Sequence, residues 1–500
     1  MSATAGSVLV VDVGTSGVRA AIVRPDGEVE HEHHVRVLPT TPAPGLVEFD
    51  AAQMADAVLQ VAQSALADGG PVRAVGIANQ RASTIVWDRA TGQPVAPAIG
   101  WQDLRTVGSC LALQADGIRL APNASATKLM AILDAVDPER SRAERGELCF
   151  GTVDSWVAWT LSGGAATGSD TLHVTDATNA AVTALVDPGA LDWDTSLLGT
   201  LQIPEILMPA IVDSSGAVGT ATALPGAPPI CGIAGDQQAS LVGQGCTLPG
   251  LAKATFGSGG MLDQCTGTAL EAPPTRGESG TFPIVAYQVG GVATWGIEAV
   301  MLSAGTCVEW LRDDLGILAS AEESANVAAQ CADSGDVWFV PALLGLGTPV
   351  WDFGARGTLV GLTRGSQRAE VVRAVLEGVA HRGADLLEAS ERDSGYRIDS
   401  LRVDGGMAQN EVFVAELAEA TGRPVEVSPV IEATTLGVGL LAGLAIGNYE
   451  STDDLAATFR PWRTIEPVGN DAVRTARRER WLAARAKAEA TIPELSGISF

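Results

Sequence analysis

Short apolar runs separated by glycine-rich polar turns set the pattern of this chain. Residues 7–23 predict a strand ending near Asp12, a turn through Gly14 and Gly17, and a second strand, with a further turn at Pro25-Asp26-Gly27. Apolar positions at Met54, Val58, Val61 and Leu66 predict an amphipathic helix over 51–68, capped by Asp50. Residues 72–78 and 84–87 predict strands, the second closing in a hairpin turn at 88–92. A helix start follows at 125–133, a buried helix at 157–161, and a loop of small polar residues at 173–180. Beyond the middle, 229–234 is an apolar strand run and 253–261 a glycine-rich turn. Residues 337–341 predict a strand, 370–387 a long amphipathic helix, and 400–410 a strand, glycine turn and helix start. A Gly/Ala-rich helix over 434–447 and an exposed Arg-rich amphipathic helix over 474–487 complete the pattern.

Strands and helices alternate, which predicts an α/β fold. Asp236 with the turn at 253–261 loosely echoes the Asp12 hairpin, so the expectation is a duplicated α/β domain with ligand between the copies. Proline and glycine thicken over 216–229, and the boundary is placed near Gly245, giving domains 1–245 and 246–500.

Composition narrows the class. Hydrophobic residues make up 46% and charged residues 18%, a globular balance. A net charge of -27 argues against non-specific binding to nucleic acid or an anionic membrane. The seven cysteines are scattered, odd in number and without a C-x-x-C, so a reducing cytoplasm is expected and neither a disulfide framework nor a zinc site is. The first apolar run lacks a basic lead and carries Asp12, unlike a signal peptide. The five histidines lack metal-ligand spacing, and His31-Glu32-His33-His34 reads as a solvated strand edge.

Candidate chemistry clusters at strand ends. Asp12 with Gly14, Thr15, Ser16 and Arg19 suits phosphate or Mg²⁺ binding, against the plain alternative of a surface hairpin. Gln80, Arg81 and Trp101 offer an amide, a guanidinium and an indole, a set that suits a polyhydroxylated ligand as well as ordinary packing. The paired glycines at 405–406 let a ring or phosphate approach a helix start. Asp236, following Gly235 at the mouth of an apolar strand, can be a base, a metal ligand or a turn residue.

The ordered set D-V-G-T-S-G-V-R at 12–19, N-Q-R at 79–81, W-Q-D at 101–103, F-G-T-V-D-S-W at 150–156, G-D-Q-Q-A-S at 235–240, W-D-F-G-A-R-G-T-L-V-G-L-T-R at 351–364 and D-G-G-M-A-Q-N at 404–410 resembles the FGGY family of carbohydrate kinases. Within that family it is most similar to the glycerol kinases. The likeness covers 7–447. It implies two duplicated actin/ribonuclease H-like ATPase domains with a cleft between them, and phosphoryl transfer from ATP to a small polyol or sugar. By resemblance Asp236 is the catalytic base, and Asp12 and Asp236 hold Mg²⁺. Gly14, Thr15, Ser16, Arg19 and Ser258 meet the ATP phosphates, and Gly305, Glu309, Gly406 and Asn410 line the nucleotide. The acceptor lies against Gln80, Arg81, Ala82, Trp101, Asn123, Asp236, Gln237 and Met261. Family members commonly form dimers or tetramers, so a homodimer or homotetramer fits the resemblance.

Departures from the pattern gather on the acceptor side. Ala82 stands where a glutamate is expected, Asn123 where a tyrosine is expected, and Met261 where a phenylalanine is expected. Glu309 replaces a glutamine on the nucleotide side. Lost bulk and lost hydroxyl partners lead to the expectation that the acceptor is longer than glycerol, such as a C4–C6 polyol or a pentulose. A non-metabolic ATPase of the same fold is the rival class.

Overall fold

The computed structural model describes residues 6–268, 276–429 and 432–498, apart from the side chains of 169 and 170. The apolar runs form a 13-stranded mixed sheet. Its N-terminal strands are β1 (Val8–Val13), β2 (Gly17–Val23), β3 (Val29–Arg36), β4 (Ala74–Asn79), β5 (Ser215–Thr220) and β6 (Pro229–Gly235). Its C-terminal strands are β7 (Ala252–Phe256), β8 (Gly260–Gly267), β9 (Phe282–Val289), β10 (Val292–Met301), β11 (Leu401–Asp404), β12 (Val425–Val427) and β13 (Arg463–Ile465). The order across the sheet is β13-β12-β11-β7-β8-β10-β9-β5-β6-β4-β1-β2-β3.

One plan occurs twice. β3-β2-β1 is an antiparallel meander, with β4 parallel to β1 and β6 parallel to β4. β10-β8-β7 repeats the meander, with β11 parallel to β7 and β12 parallel to β11. The two sets join where Ser215 of β5 pairs with Val289 of β9.

Both faces of β1, β4 and β6 are covered, which explains their nearly continuous apolar runs. Leu9, Val11 and Val13 face helix α1 (Ala51–Gly69), while Val8 and Val10 face the Gly/Ala-rich helix described below. Asp50 caps α1 by accepting from Ala52 N at 2.9 Å and Gln53 N at 3.1 Å, as its position in the sequence predicts. Further helices are α2 (Ser125–Val136), α3 (Val153–Leu161) and α4 (Asp236–Gly243). The later half adds α5 (Arg368–Ser394), α6 (Glu411–Thr421), α7 (Ala433–Ala445) and α8 (Asp471–Ala488). Although α7 follows the C-terminal strands, it packs on β6, β4 and β1 and crosses α4. A Cβ at Gly437 would fall 1.7 Å from the Ala239 carbonyl oxygen, so only glycine permits this approach. That contact fixes the helix whose first residue is Asp236.

Four local readings change. Residues 173–180 are not a loop: Val174–Asp176 is a strand and Ala177–Ala181 a short helix, because their small polar side chains bond to one another in the interior. The run near 84–87 does turn at 88–92, but its ladder partner is the distant strand Leu148–Gly151. The second-half counterpart of the Asp12 hairpin is β7–β8 alone; Asp236 instead begins the helix after β6. The Arg-rich helix α8 is anchored rather than free, since Trp481 is buried and Arg478 reaches Asp385 at 2.7 Å. The histidine-rich strand β3 does lie at the outer edge of the sheet. Among the described residues no helix is long and apolar enough to cross a membrane.

Candidate active site

The parallel strands β1, β4 and β6 all end on one side, and ligands of open α/β sheets gather at such carboxyl ends. β1 delivers Asp12 and the turn that follows, β4 delivers Gln80 and Arg81, and β6 delivers Asp236. The turn closes through Gly14 N to the Gly17 carbonyl at 3.0 Å. Gln80 Nε2 donates to the Gly14 carbonyl at 3.3 Å, and Trp101 Nε1 donates to Thr15 Oγ1 at 3.3 Å. Ser16 is exposed at the turn tip. The phosphate-side and acceptor-side residues named from sequence are therefore in direct contact.

Asp236 is the first residue of α4, and 32% of its side chain is exposed. Its Oδ1 lies 3.5 Å from Arg81 Nε and accepts from Gln237 N at 2.8 Å. Burial raises its pKa above the ordinary carboxylate value, and Arg81, the Gln237 N–H and Lys253 oppose that rise. Asp12 is pushed up to about 7, chiefly by burial, with Arg19 opposing and Asp236, Glu432 and Glu32 adding to the shift. Asp236 thus adds to the rise at Asp12, while Arg19, Arg81 and Lys253 oppose the effect of burial on the two carboxylates. Arg19 itself is engaged, pairing with Glu32 at 3.3 Å and with Glu432.

Arg81 is the hub of the polar cluster beside Asp236. It bonds Glu298 Oε2 at 2.7 Å, contacts Gln238 Oε1 at 3.4 Å and lies 3.8 Å from Met261 Sδ. Burial opposes its charge, but Glu298, Asp236 and Asp263 outweigh burial and hold its pKa above the usual arginine value. Ala82 is buried with φ 59, and its carbonyl accepts from Ser125 Oγ at 3.1 Å. Asn123 is exposed, and its carbonyl accepts from the buried Lys128 at 2.8 Å. Gln237 Oε1 accepts from Lys253 Nζ at 2.7 Å, and Lys253 also pairs with Asp263 at 2.7 Å inside the protein.

Glu298, Lys253 and Asp263 were not singled out from sequence. Each is an ionisable residue inside an apolar strand, and such a residue needs a buried partner. That is the signal that would have found them.

The second strand set builds the other wall. The turn between β7 and β8 carries an exposed Ser258, and Gly305 N donates to the Gly257 carbonyl at 2.8 Å. A Cβ at Gly406 would meet nothing within 4 Å, so open space lies above it. Asn410 is committed to structure: its Oδ1 caps α6 and its Nδ2 donates to Ser324 Oγ at 2.9 Å. Glu309 is exposed one turn after Gly305. Beneath the two strand sets Ser240 Oγ donates to the buried Asp404 Oδ2 at 3.1 Å.

Residues 7–243 match the N-terminal domain of the FGGY family of carbohydrate kinases, and residues 266–446 match its C-terminal domain. The chain is 43% identical to a glycerol kinase of Dechloromonas aromatica, covering 92% of this chain and 93% of that one. It is 42% identical to a glycerol kinase of Aromatoleum aromaticum, covering 95% and 97%. A Plasmodium falciparum glycerol kinase solved with ADP superimposes with a TM-score of 0.88 at 26% identity, covering 99% of each chain. A Lactobacillus acidophilus xylulose kinase, at 19% identity and a TM-score of 0.85 over 98% of this chain and 99% of that one, shares the fold. With both domains matched and curated relatives aligned along nearly their whole length, the chain belongs to the FGGY family of carbohydrate kinases, as a glycerol-kinase-like phosphotransferase acting on alcohol groups.

Proposed function

We propose that this protein transfers the γ-phosphoryl group of ATP to a primary hydroxyl of a small polyol or sugar, with Asp236 as the base. The observation that carries this reading is Asp236 itself, a partly exposed carboxylate with a raised pKa, 3.5 Å from Arg81 where the two halves meet. A carboxylate whose pKa is raised is a stronger proton acceptor when ionised. Asp236 accepts the hydroxyl proton as the acceptor oxygen attacks phosphorus. Gln80, Arg81, Trp101 and Gln237 hold the acceptor, with Ala82, Asn123 and Met261 shaping its far side. Thr15, Ser16, Arg19 and Ser258 face the phosphates, with Gly14 giving them room, and Arg19 trades its Glu432 pair for phosphate. Gly305, Glu309, Gly406 and Asn410 border the nucleotide. Phosphoryl transfer asks mainly for positioning and charge stabilisation, which these groups supply.

Asp12 and Asp236 suit Mg²⁺, a hard cation held by one or two carboxylates together with substrate phosphates. Burial, with Asp236, Glu432 and Glu32 adding, raises the Asp12 pKa, so these hard oxygen donors would suit a divalent cation. When bound, the ion offsets negative charge on the phosphates. The halves 1–245 and 246–500 act as the acceptor and nucleotide lobes.

The small or flexible residues Ala82, Asn123 and Met261 favour an acceptor longer than glycerol. A second reading, glycerol itself, is favoured by the curated relatives at 43% and 42% identity that are named glycerol kinase. An ADP-release screen across glycerol, erythritol, arabinitol, xylulose and ribulose decides between them. Highest kcat/KM on a C4 or C5 acceptor is expected, and a clear preference for glycerol supports the second reading.

A further inference from the structure

The segment 173–180, misread as a loop, is built into the floor of the site. β4 and β6 end side by side, with Gly235 and Asn79 as cross-strand partners, and the chain leaves those residues toward Asp236 and toward Gln80-Arg81. One short element grips both ends. Thr178 Oγ1 accepts from Gly235 N at 2.9 Å. Asn179 and Asn79, both buried, exchange amide bonds: Asn79 Nδ2 donates to Asn179 Oδ1 at 2.8 Å, and Asn179 Nδ2 donates to Asn79 Oδ1 at 3.0 Å. Asn79 Nδ2 also reaches the Gln80 carbonyl at 2.9 Å.

Asp176 anchors this element. It accepts from Thr178 Oγ1 at 2.9 Å, Asn179 Nδ2 at 2.9 Å and Ser214 Oγ at 2.7 Å, besides the N–H groups of Thr178 and Asn179. Ser214 in turn accepts from Gln288 N at 3.1 Å, in the strand where the two sheet halves join. Asp154 lies one step deeper, accepting from Thr175 Oγ1 at 2.8 Å and Asp176 N at 3.1 Å. These side chains are buried, and the bonds of Thr178 and Asn179 lead to the residue before Asp236 and to the residue before Gln80. Buried, mutually satisfied polar networks fix geometry more tightly than apolar packing does.

We infer that Thr178, Asn179 and Asn79 are positioning residues that set the spacing between Asp236 and Arg81, a role that rests on the kinase reading above. A misplacement of about 1 Å costs on the order of 10²-fold in rate. The test compares Thr178→Val, which keeps shape but removes the acceptor for Gly235 N–H, with Thr178→Ser, which restores it. Thr175→Val serves as the control, losing a bond of the same buried layer that points to Asp154 instead. Thr178→Val should lower kcat about 10- to 100-fold with KM for ATP unchanged within about twofold, and Thr178→Ser should recover most of that loss. Thr175→Val should lower the thermal midpoint as much as Thr178→Val while keeping kcat. Asn79→Asp, read from the other strand, should raise the acceptor KM about tenfold or more and leave the ATP KM in place, whether or not the Thr178 variant folds. Unchanged kcat in Thr178→Val beside an active wild type overturns the positioning role alone. So does an equal kcat loss in Thr175→Val. A wild type without acceptor-dependent ADP release overturns the kinase reading together with this one.

Discussion

Two hairpins of one shape sit at equivalent places in the duplicated sheet, β1–β2 and β7–β8, and they are decorated in opposite ways. The first carries Asp12 at its strand end, with Arg19 as its cross-strand partner. The second has Thr255 paired with Met261 and closes through Gly257, Ser258 and Gly259. The later strands continue the contrast. β4 and β6 lead into Arg81 and Asp236, whereas β11 leads into Gly405 and Gly406, and its own acid, Asp404, is buried against Ser240. At the strand-end turns the same backbone plan therefore supplies charged side chains on one wall and bare backbone on the other, while Lys253 and Glu298 on β7 and β10 reach across to Gln237 and Arg81. In the proposed reaction, charge lies where a proton and a phosphoryl group would move, and close backbone approach lies where a nucleotide would sit.

Changes at the charged turns, or at Glu298 that reaches across to Arg81, should act on turnover and acceptor, and changes at the bare glycine turns on nucleotide. The largest effect is expected from Asp236→Asn, which should lower kcat by about 10³-fold or more while ATP affinity, read by calorimetry, moves less than about threefold. Glu298→Gln comes next. It removes the anion that orients Arg81 and should raise the acceptor KM about tenfold with little change for ATP, measured by steady-state kinetics. Gly406→Val should do the reverse, raising the ATP KM about tenfold through the open space above it and leaving the acceptor KM in place.

The smallest effect is on stability. Asp12 has a folded pKa near 7 against an ordinary value of 3.8, so the folded state binds the extra proton between those values. The Asp12 contribution should then lower the stability of the free protein as pH rises from about 4 to about 7, level off above that, and vanish only below about 4. Asp12→Asn removes this dependence. Its thermal midpoint should exceed that of wild type by a few degrees at pH 8, with an upper bound of about 4 kcal/mol, and the gap should shrink steadily toward pH 4. A constant gap across that range would remove the assigned burial of the Asp12 charge.

Local chemistry made much of this legible. The cap at Asp50, the turn at Gly14–Gly17, the strands before Asp236 and the start of α6 at Asn410 each depend on a few consecutive residues, and those readings match the structure. Long-range contacts were not legible. Glu298 meets Arg81 across 217 positions of sequence, and Asn79 meets Asn179 across 100. The segment 173–180 was misread for a physical reason: small polar residues ordinarily mark loops, but here Asp176, Thr178 and Asn179 satisfy one another and lie fully buried. The tail after Gly447 carried no readable role, yet its strand β13 extends the sheet and α8 clamps α5 through Asp385, which accepts from Arg478 at 2.7 Å.

The central claim is that the charged wall moves a phosphoryl group onto a polyol hydroxyl held beside Asp236. Mass spectrometry of the acceptor after incubation with ATP and Mg²⁺ tests it most directly. The account predicts one added phosphoryl group per ADP formed, on a C4 or C5 polyol or ketose above glycerol, and no product from Asp236→Asn. ADP formed without any phosphorylated acceptor, or product from Asp236→Asn at a rate near wild type, would contradict it.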